Sequence, residues 1–303
     1  MLLVRVPNWL GDLVMSMQAL SGLNALPGGT VFWAHRRVAG LLPVFFPDTP
    51  VMDKDDLPPR GRFDSLLLLT DSFSSALAGF RAGIPERTGR TGQFRSALLT
   101  RRIRPPEGRS RHHSIDYEEL ASAVGARPGP VVIPRFDPAP PHIAVFPGAA
   151  YGSSKIWNGF PEAAIRLSQE TGLGAVFYGS AGESSLIESM ASGSGGVMEA
   201  AVGLPLPELC RRLSGASAAL GNDSGGMHLT ALLGVPSVVL FGSTSPEWTA
   251  PRGPSVTIVR ASGFDCSPCF EPTCRKGAEA LCMESITVDE VLDAARALPW
   301  RRP

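Results

Sequence analysis

This chain of 303 residues is poor in charge: Asp, Glu, Lys and Arg make up 18% of it, and 28 basic side chains balance 28 acidic ones. A net charge of zero supplies no global field for nucleic acid, so that class of partner is not expected. No apolar run is long enough to cross a bilayer. The opening residues, Met1-Leu2-Leu3-Val4-Arg5-Val6, lack the basic region and apolar stretch of a secretory signal. They read as a first β-strand, and a cytoplasmic location is expected. Neither G-x4-G-K-[ST] nor G-x-G-x-x-G occurs, which argues against a P-loop and a dinucleotide cofactor. No internal repeat is visible beyond an alternation of strand and helix patterns.

What is present is 44% hydrophobic residues, ample for a core, over a length that suggests two domains. Apolar strand patterns at residues 2–6, 31–34 and 66–69 interleave with a helix predicted over 12–23 and a later amphipathic piece. Strands at 142–146, 175–178 and 237–241, and one before Asn222, interleave with helices near 160–170, 183–190 and 206–213. Short buried strands alternating with helices predict a parallel α/β sheet. The pattern restarts after the Pro-rich stretch Pro134-Arg135-Phe136-Asp137-Pro138-Ala139-Pro140-Pro141, the best linker in the chain. Two doubly wound, Rossmann-like domains are therefore expected, 1–138 and 139–303, facing across a cleft. The amphipathic last helix, near 288–298, is free to dock on either domain. Ligands in such sheets bind beyond the carboxyl ends of the strands.

Four turns sit at such strand ends. Gly221-Asn222-Asp223-Ser224-Gly225-Gly226-Met227-His228 joins a strand to a helix, where free N–H groups and the helix dipole suit an anion, most plausibly a phosphate. The blander reading is an Asp N-cap with a core His. Pro147-Gly148-Ala149-Ala150-Tyr151-Gly152-Ser153-Ser154-Lys155 lets backbone approach a ligand and adds the Lys155 charge, unless that Lys is merely solvated. Gly179-Ser180-Ala181-Gly182-Glu183 offers a carboxylate for ribose hydroxyls, or a first-turn Glu that favours the dipole. Pro7-Asn8-Trp9-Leu10-Gly11-Asp12 places Asp12 at a helix start, as a cap or as an acceptor of a hydroxyl proton. The small-residue loop at Ser243 and Thr244 adds hydroxyl and N–H donors at the same edge. Of the five cysteines, Cys210 stands alone. Cys266, Cys269, Cys274 and Cys282 have C-x2-C-x4-C-x7-C spacing, read either as a structural zinc site or as free thiols packing a Pro-rich loop.

The order of these blocks resembles glycosyltransferase family 9, the bacterial ADP-heptose:lipopolysaccharide heptosyltransferases, along nearly the whole chain. N-W-L-G-D-L-V-M-S, P-G-A-A-Y-G-S-S-K-I-W, N-D-S-G-G-M-H-L-T-A and L-F-G-S-T-S-P carry the likeness. Trp9, the P-G-A-x-x-G-x-x-K spacing and the cysteine-rich segment favour the heptosyltransferase II branch. Asn158 departs from the Pro usual in the family, and Ser224 stands where Thr is common. The resemblance implies a GT-B fold and an inverting transfer of heptose from ADP-heptose to the anionic Kdo/heptose-lipid A core. Asp12 would be the general base. Lys155 would act with the turn Asp223, Ser224, Gly225, Gly226, Met227 and His228 on the diphosphate. Glu183 would bind the ribose, with Ala149, Ala150, Ser243 and Thr244 also on the donor side. Asn8, Trp9, Arg101, Arg102, His112 and His113 are the acceptor-side candidates. No cofactor and no obligatory metal is expected, since fixed donors can take a metal's place at the leaving diphosphate.

The arginines of residues 81–113 read as a solvated face or as an acceptor-docking or membrane-surface patch, the second being favoured. A monomer, peripheral to the inner membrane, is expected. The alternatives are another GT-B enzyme using a different nucleotide sugar, such as an epimerase, and a non-catalytic nucleotide-sugar binding module.

Overall fold

A computed structural model describes residues 1–192, 196–277 and 280–301. The chain forms two compact units, Met1–Pro134 and Arg135–Pro303. The division falls at the start of the Pro-rich stretch rather than at residue 138. From the end of the helix Ser114–Ala123 to His142 the described chain has no regular element.

The first unit holds six parallel strands: β1 (Leu2–Arg5), β2 (Thr30–Ala34), β3 (Val51–Asp53), β4 (Ser65–Leu68), β5 (Glu86–Arg90) and β6 (Arg101–Ile103), in the order β3-β2-β1-β4-β5-β6. The second holds β7 (His142–Phe146), β8 (Ala175–Gly179), β9 (Met198–Val202), β10 (Ala216–Asn222), β11 (Ser237–Phe241) and β12 (Val256–Arg260), in the order β12-β11-β10-β7-β8-β9. Both orders are the doubly wound one, with the direction of winding reversing beside β1 and beside β7. Those switch points are where parallel sheets bind ligands. Central strands are covered on both faces, so they read as unbroken apolar runs: Leu3, Val4, Ile143, Ala144 and Val145 are all fully buried.

Several strands, most of them at sheet edges, escaped the sequence pattern. β5 and β6, Glu86-Arg87-Thr88-Gly89-Arg90 and Arg101-Arg102-Ile103, lack apolar alternation and take their structure from their neighbours. The helix expected over 12–23 is two helices, Leu10–Met15 and Met17–Asn24. Ser16 interrupts them, with its hydroxyl donating to the Leu13 carbonyl at 2.7 Å. The terminal helix Val288–Arg296 packs on its own unit. There Val291, Leu292 and Ala295 join the core and Arg296 pairs with Glu170 at 2.6 Å. Docking on the first domain is thereby replaced by a hydrophobic face that matches the second. No helix among the described residues is long and apolar enough to cross a membrane.

Candidate active site

In the first unit, β1 ends at Arg5 and the chain turns through Asn8 and Trp9 into the helix Leu10–Met15. Arg5 is a guanidinium in an otherwise apolar strand, and it is fully buried. It donates to the Trp33 carbonyl at 3.1 Å, to the Ser75 hydroxyl at 3.2 Å, and to Val6 O and the Asn8 side chain. Burial lowers its pKa to about 10. Its four donor contacts pin the loop that delivers Asp12, and the Asn8 side-chain oxygen is spent on one of them. Trp9 is 53% exposed, with the Arg37 guanidinium 5.2 Å from its ring centre.

Asp12 does not cap its helix. Trp9 holds the N-cap position without a side-chain cap, and Asp12 is the third helical residue. Its carboxylate is half-exposed and accepts from the Tyr117 hydroxyl at 3.1 Å, while His113 Nε2 lies 3.7 Å away. The reading of Asp12 as a plain N-cap is thus excluded by geometry.

The arginine-rich segment is largely consumed internally. Arg90 and Arg95 are buried: Arg95 donates to the carbonyls of Arg90 (2.7 Å) and Thr70 (2.8 Å) and pairs with Asp71, and Arg90 pairs with Asp116 at 3.2 Å. Arg87 donates to the Leu98 carbonyl at 2.6 Å, and Arg111 is held by Asp116 and Glu119. Arg101 and Arg102 are exposed on the edge strand β6, with Arg102 also bonded to Ser96 O. The patch is therefore smaller than the sequence suggested. His112 bonds Ser114, and His113 bonds Asp116 and Tyr117, so the two histidines are built into the helix start beside Asp12.

In the second unit three loops meet at one buried carboxylate. Asp223, at the end of β10, accepts from Lys155 Nζ at 2.7 Å, Thr244 Oγ1 at 2.8 Å and Thr249 Oγ1 at 3.3 Å, with His228 Nε2 3.8 Å away. Burial acts to raise its pKa, but the nearby His228 and the charge of Lys155 outweigh burial and hold the carboxyl well below the usual range. Lys155 also donates to the Asp223 carbonyl at 3.0 Å, so two of its three donors are committed and one remains. Asp223 is thus not a cap but a tie between loops. Thr244 bonds it, and Ser243 receives the Ser154 hydroxyl at 3.1 Å.

The helix Gly225–Leu232 begins beyond this tie. Ser224 is its N-cap, yet the Ser224 hydroxyl makes no cap bond and is buried with no partner among the described residues. First-turn N–H groups of a helix lack intrahelical acceptors, so Gly225 and Gly226 present donors beside that orphaned hydroxyl. An anion placed there would satisfy all of them at once, as the phosphate expectation requires. Met227 faces inward against Gly221, and His228 is buried against Asp223.

Glu183 caps its own helix start and keeps one carboxylate oxygen out of that cap. Its Oε2 accepts from the Ser180 N–H (2.8 Å) and hydroxyl (2.6 Å) in a capping box. Its Oε1 lies against Gly148, where an added Cβ would fall 2.2 Å away. Only glycine there lets the carboxylate approach the Pro147–Ala149 backbone. Ala149 and Ala150 lie half-buried and exposed on the same loop. Gly152 (φ 151°) packs against the carbonyl of Pro272, and Phe270 N–H bonds Ser243 O at 2.8 Å. The cysteine-rich segment is thereby sewn onto the donor-side loops. That segment was read as a separate structural matter, and the link is visible only in three dimensions.

Cys266, Cys269, Cys274 and Cys282 line one cavity of about 240 Å³ with Ser154 and Ser243. All are free thiols, and Cys266 is exposed whereas Cys282 is buried. Among the described residues no three His, Cys, Asp or Glu side chains converge to hold a metal. Backbone N–H groups, Lys276 first, lower the Cys274 pKa. Cys210 is buried in the helix Leu206–Ser214, and burial raises its thiol to about 12.

The profile of glycosyltransferase family 9 (heptosyltransferase) matches residues 59–279. The chain belongs to this family. Among curated relatives, lipopolysaccharide heptosyltransferase 2 of Escherichia coli K12 is 26% identical over 86% of this chain and 87% of its own. The enzyme of the same name from Salmonella typhimurium is 29% identical over 66% and 65%. The structure of E. coli ADP-heptose lps heptosyltransferase II superposes with a TM-score of 0.81 at 23% identity, covering 98% of this chain and 97% of that one. An E. coli heptosyltransferase bound to ADP gives 0.73 at 18% identity, over 97% and 98%. The family's GT-B fold is the fold of this chain, and its transferase class is the class to which this enzyme belongs.

Proposed function

We propose that this family 9 enzyme transfers heptose, with inversion, from ADP-L-glycero-D-manno-heptose to the Kdo/heptose-lipid A inner core of lipopolysaccharide. The observation that carries the donor half is the unsatisfied Ser224 hydroxyl at the start of the helix Gly225–Leu232, with the remaining Lys155 donor beside it. Together they favour a diphosphate. The heptose donor and the lipopolysaccharide acceptor follow from family membership and from the full-length likeness to heptosyltransferase 2.

In this reading the acceptor hydroxyl attacks the anomeric carbon and Asp12 takes its proton. The new bond forms as the anomeric carbon–phosphate oxygen bond breaks, and its electron pair leaves with ADP. Lys155 and the helix terminus meet that charge in fixed positions, so the reaction proceeds without an obligatory metal ion. Oε1 of Glu183, left over from the capping box, receives a ribose hydroxyl. Arg101 and Arg102 on β6 meet the anionic acceptor, and the enzyme works at the inner face of the inner membrane. A monomer suffices, since one chain carries both the base and the anion-binding turn.

The test is heptosyl transfer to a Kdo/heptose-lipid A acceptor, with ADP-, GDP- and UDP-sugars compared. Transfer from ADP-heptose that falls about 10²–10⁴-fold in Asp12→Asn, with donor affinity kept, is expected. Turnover of a UDP- or GDP-sugar instead, or full activity in Asp12→Asn, overturns the reading.

A further inference from the structure

Around Asp12 the first unit holds a chain of side chains that the transfer chemistry has not yet used. Tyr117 sits on the helix Ser114–Ala123 and is 5% exposed. Its hydroxyl donates to Asp12 Oδ1 at 3.1 Å and lies 3.0 Å from His113 Nε2. His113 Nδ1 is in turn 2.8 Å from Asp116 Oδ2. Asp116 is buried, and its other oxygen is held by Arg111 at 2.6 Å and Arg90 at 3.2 Å. The His113 and Tyr117 rings meet edge to face at 4.8 Å. Burial, and then the charge of Asp12, raise the Tyr117 pKa well above that of a free phenol, so the hydroxyl stays protonated and available as a donor.

We propose that Tyr117 and His113 are positioning residues for the general base. Tyr117 holds Oδ1 of Asp12 and thereby presents Oδ2 to the acceptor hydroxyl. His113, oriented by Asp116, gives the Tyr117 hydrogen a second acceptor. This inference rests on the reading of Asp12 as base.

The hydrogen count fixes how the chain works. A carboxylate only accepts, so the bond to Asp116 places a hydrogen on His113 Nδ1. The phenol has one hydrogen and two neighbours that can take it, Asp12 Oδ1 and His113 Nε2. While Asp12 is ionised, the charged oxygen is the better acceptor and holds that hydrogen. No hydrogen bond falls on Oδ2 among the described residues, which leaves it to receive the acceptor's proton. When that proton arrives, Asp12 becomes neutral and a weaker acceptor, and the phenol hydrogen turns to Nε2. Neither state leaves the buried phenol without a partner, whose loss would be costly in so closed a place. One oxygen of the carboxylate is therefore held in place while the base is ionised, up to the moment of proton transfer, which is the orientation that rapid attack requires.

The variant Tyr117→Phe keeps the ring and its packing and removes only the hydroxyl. Losing one hydrogen bond to a charged group is expected to lower kcat about tenfold or more. KM for donor and acceptor should stay within about twofold, and calorimetric ADP binding should be unchanged. His113→Asn, which keeps a polar group of smaller reach, should lower kcat by a smaller factor with the same unchanged KM. A full-rate Tyr117→Phe beside an inactive Asp12→Asn overturns the positioning role and leaves the base in place. An active Asp12→Asn overturns the base itself. If Tyr117→Phe proves unstable, His113→Asn decides: a fall in kcat at constant KM supports the chain, and a rise in KM at constant kcat overturns it.

Discussion

Replacing Lys155 with Ala removes the cation that lies 2.7 Å from the Asp223 carboxylate, and both side chains are largely buried, at 13% and 4% exposed. Breaking such a pair by deleting one partner costs about 3–5 kcal/mol, because the charge left behind has lost its compensation. Asp223 retains the hydroxyls of Thr244 and Thr249 and the nearby His228, so the lower end, about 3 kcal/mol, is the figure to expect here. For a unit of this size that is a fall of about 6–12 °C in the unfolding midpoint. The sign with pH is fixed by the depressed Asp223 pKa. A lowered carboxyl stabilises the fold fully above its unfolded value near pH 4, and the contribution fades as pH falls toward the folded value. The deficit of Lys155→Ala should therefore be large at pH 7 and shrink on acidification. Adding Asp223→Asn removes the uncompensated charge and should restore part of the lost stability, a coupling measurable in a double-mutant cycle. Scanning calorimetry of the four proteins between pH 3 and 8 reads all of this. A Lys155→Ala midpoint within a degree of the parent at pH 7, or strictly additive effects in the cycle, would refute the argument.

Other outcomes follow from single contacts. Gly152→Ala places a Cβ against the Pro272 carbonyl at 2.1 Å in a conformation that side chains rarely adopt. It should cost about 2 kcal/mol, read as a drop of about 4–8 °C in midpoint, with weakened ADP binding. Neutralising Arg101 and Arg102 together should raise acceptor KM severalfold and flatten its dependence on salt, while donor KM stays fixed. A salt-independent parent would instead remove the charge argument. Addition of a chelator should leave transfer unchanged, and activity restored only by a divalent ion would contradict the fixed-donor account.

Much of the architecture was legible because buried parallel strands must be apolar on both faces: the patterns at 142–146 and 237–241 coincide with β7 and β11. β5 and the edge strand β6 were not legible, since they lack apolar alternation and their conformation is imposed by pairing with β4 and with each other. At the site, the candidate anion-binding turn showed itself through its small and polar residues at a strand end. The partner of Asp223 did not, because Lys155 lies 68 residues earlier and the pairing depends on two loops meeting. Tyr117 was missed for the same reason, being 105 residues from Asp12. Arg5 left a trace: an ionisable residue inside Leu2-Leu3-Val4-Arg5-Val6 must find buried partners, and it finds them under the Asp12 loop.

The central claim is that the turn from Ser224 into the helix Gly225–Leu232, with Lys155, holds the diphosphate of an ADP-sugar. Titration calorimetry with ADP, GDP and UDP, without added metal, tests it most directly on the parent and on Lys155→Ala. The account predicts binding selective for ADP and weakened about tenfold or more in the variant, the worth of one hydrogen bond to a charged group. Binding of UDP or GDP in preference would contradict the ADP-heptose donor, and no binding of any of the three would contradict the site.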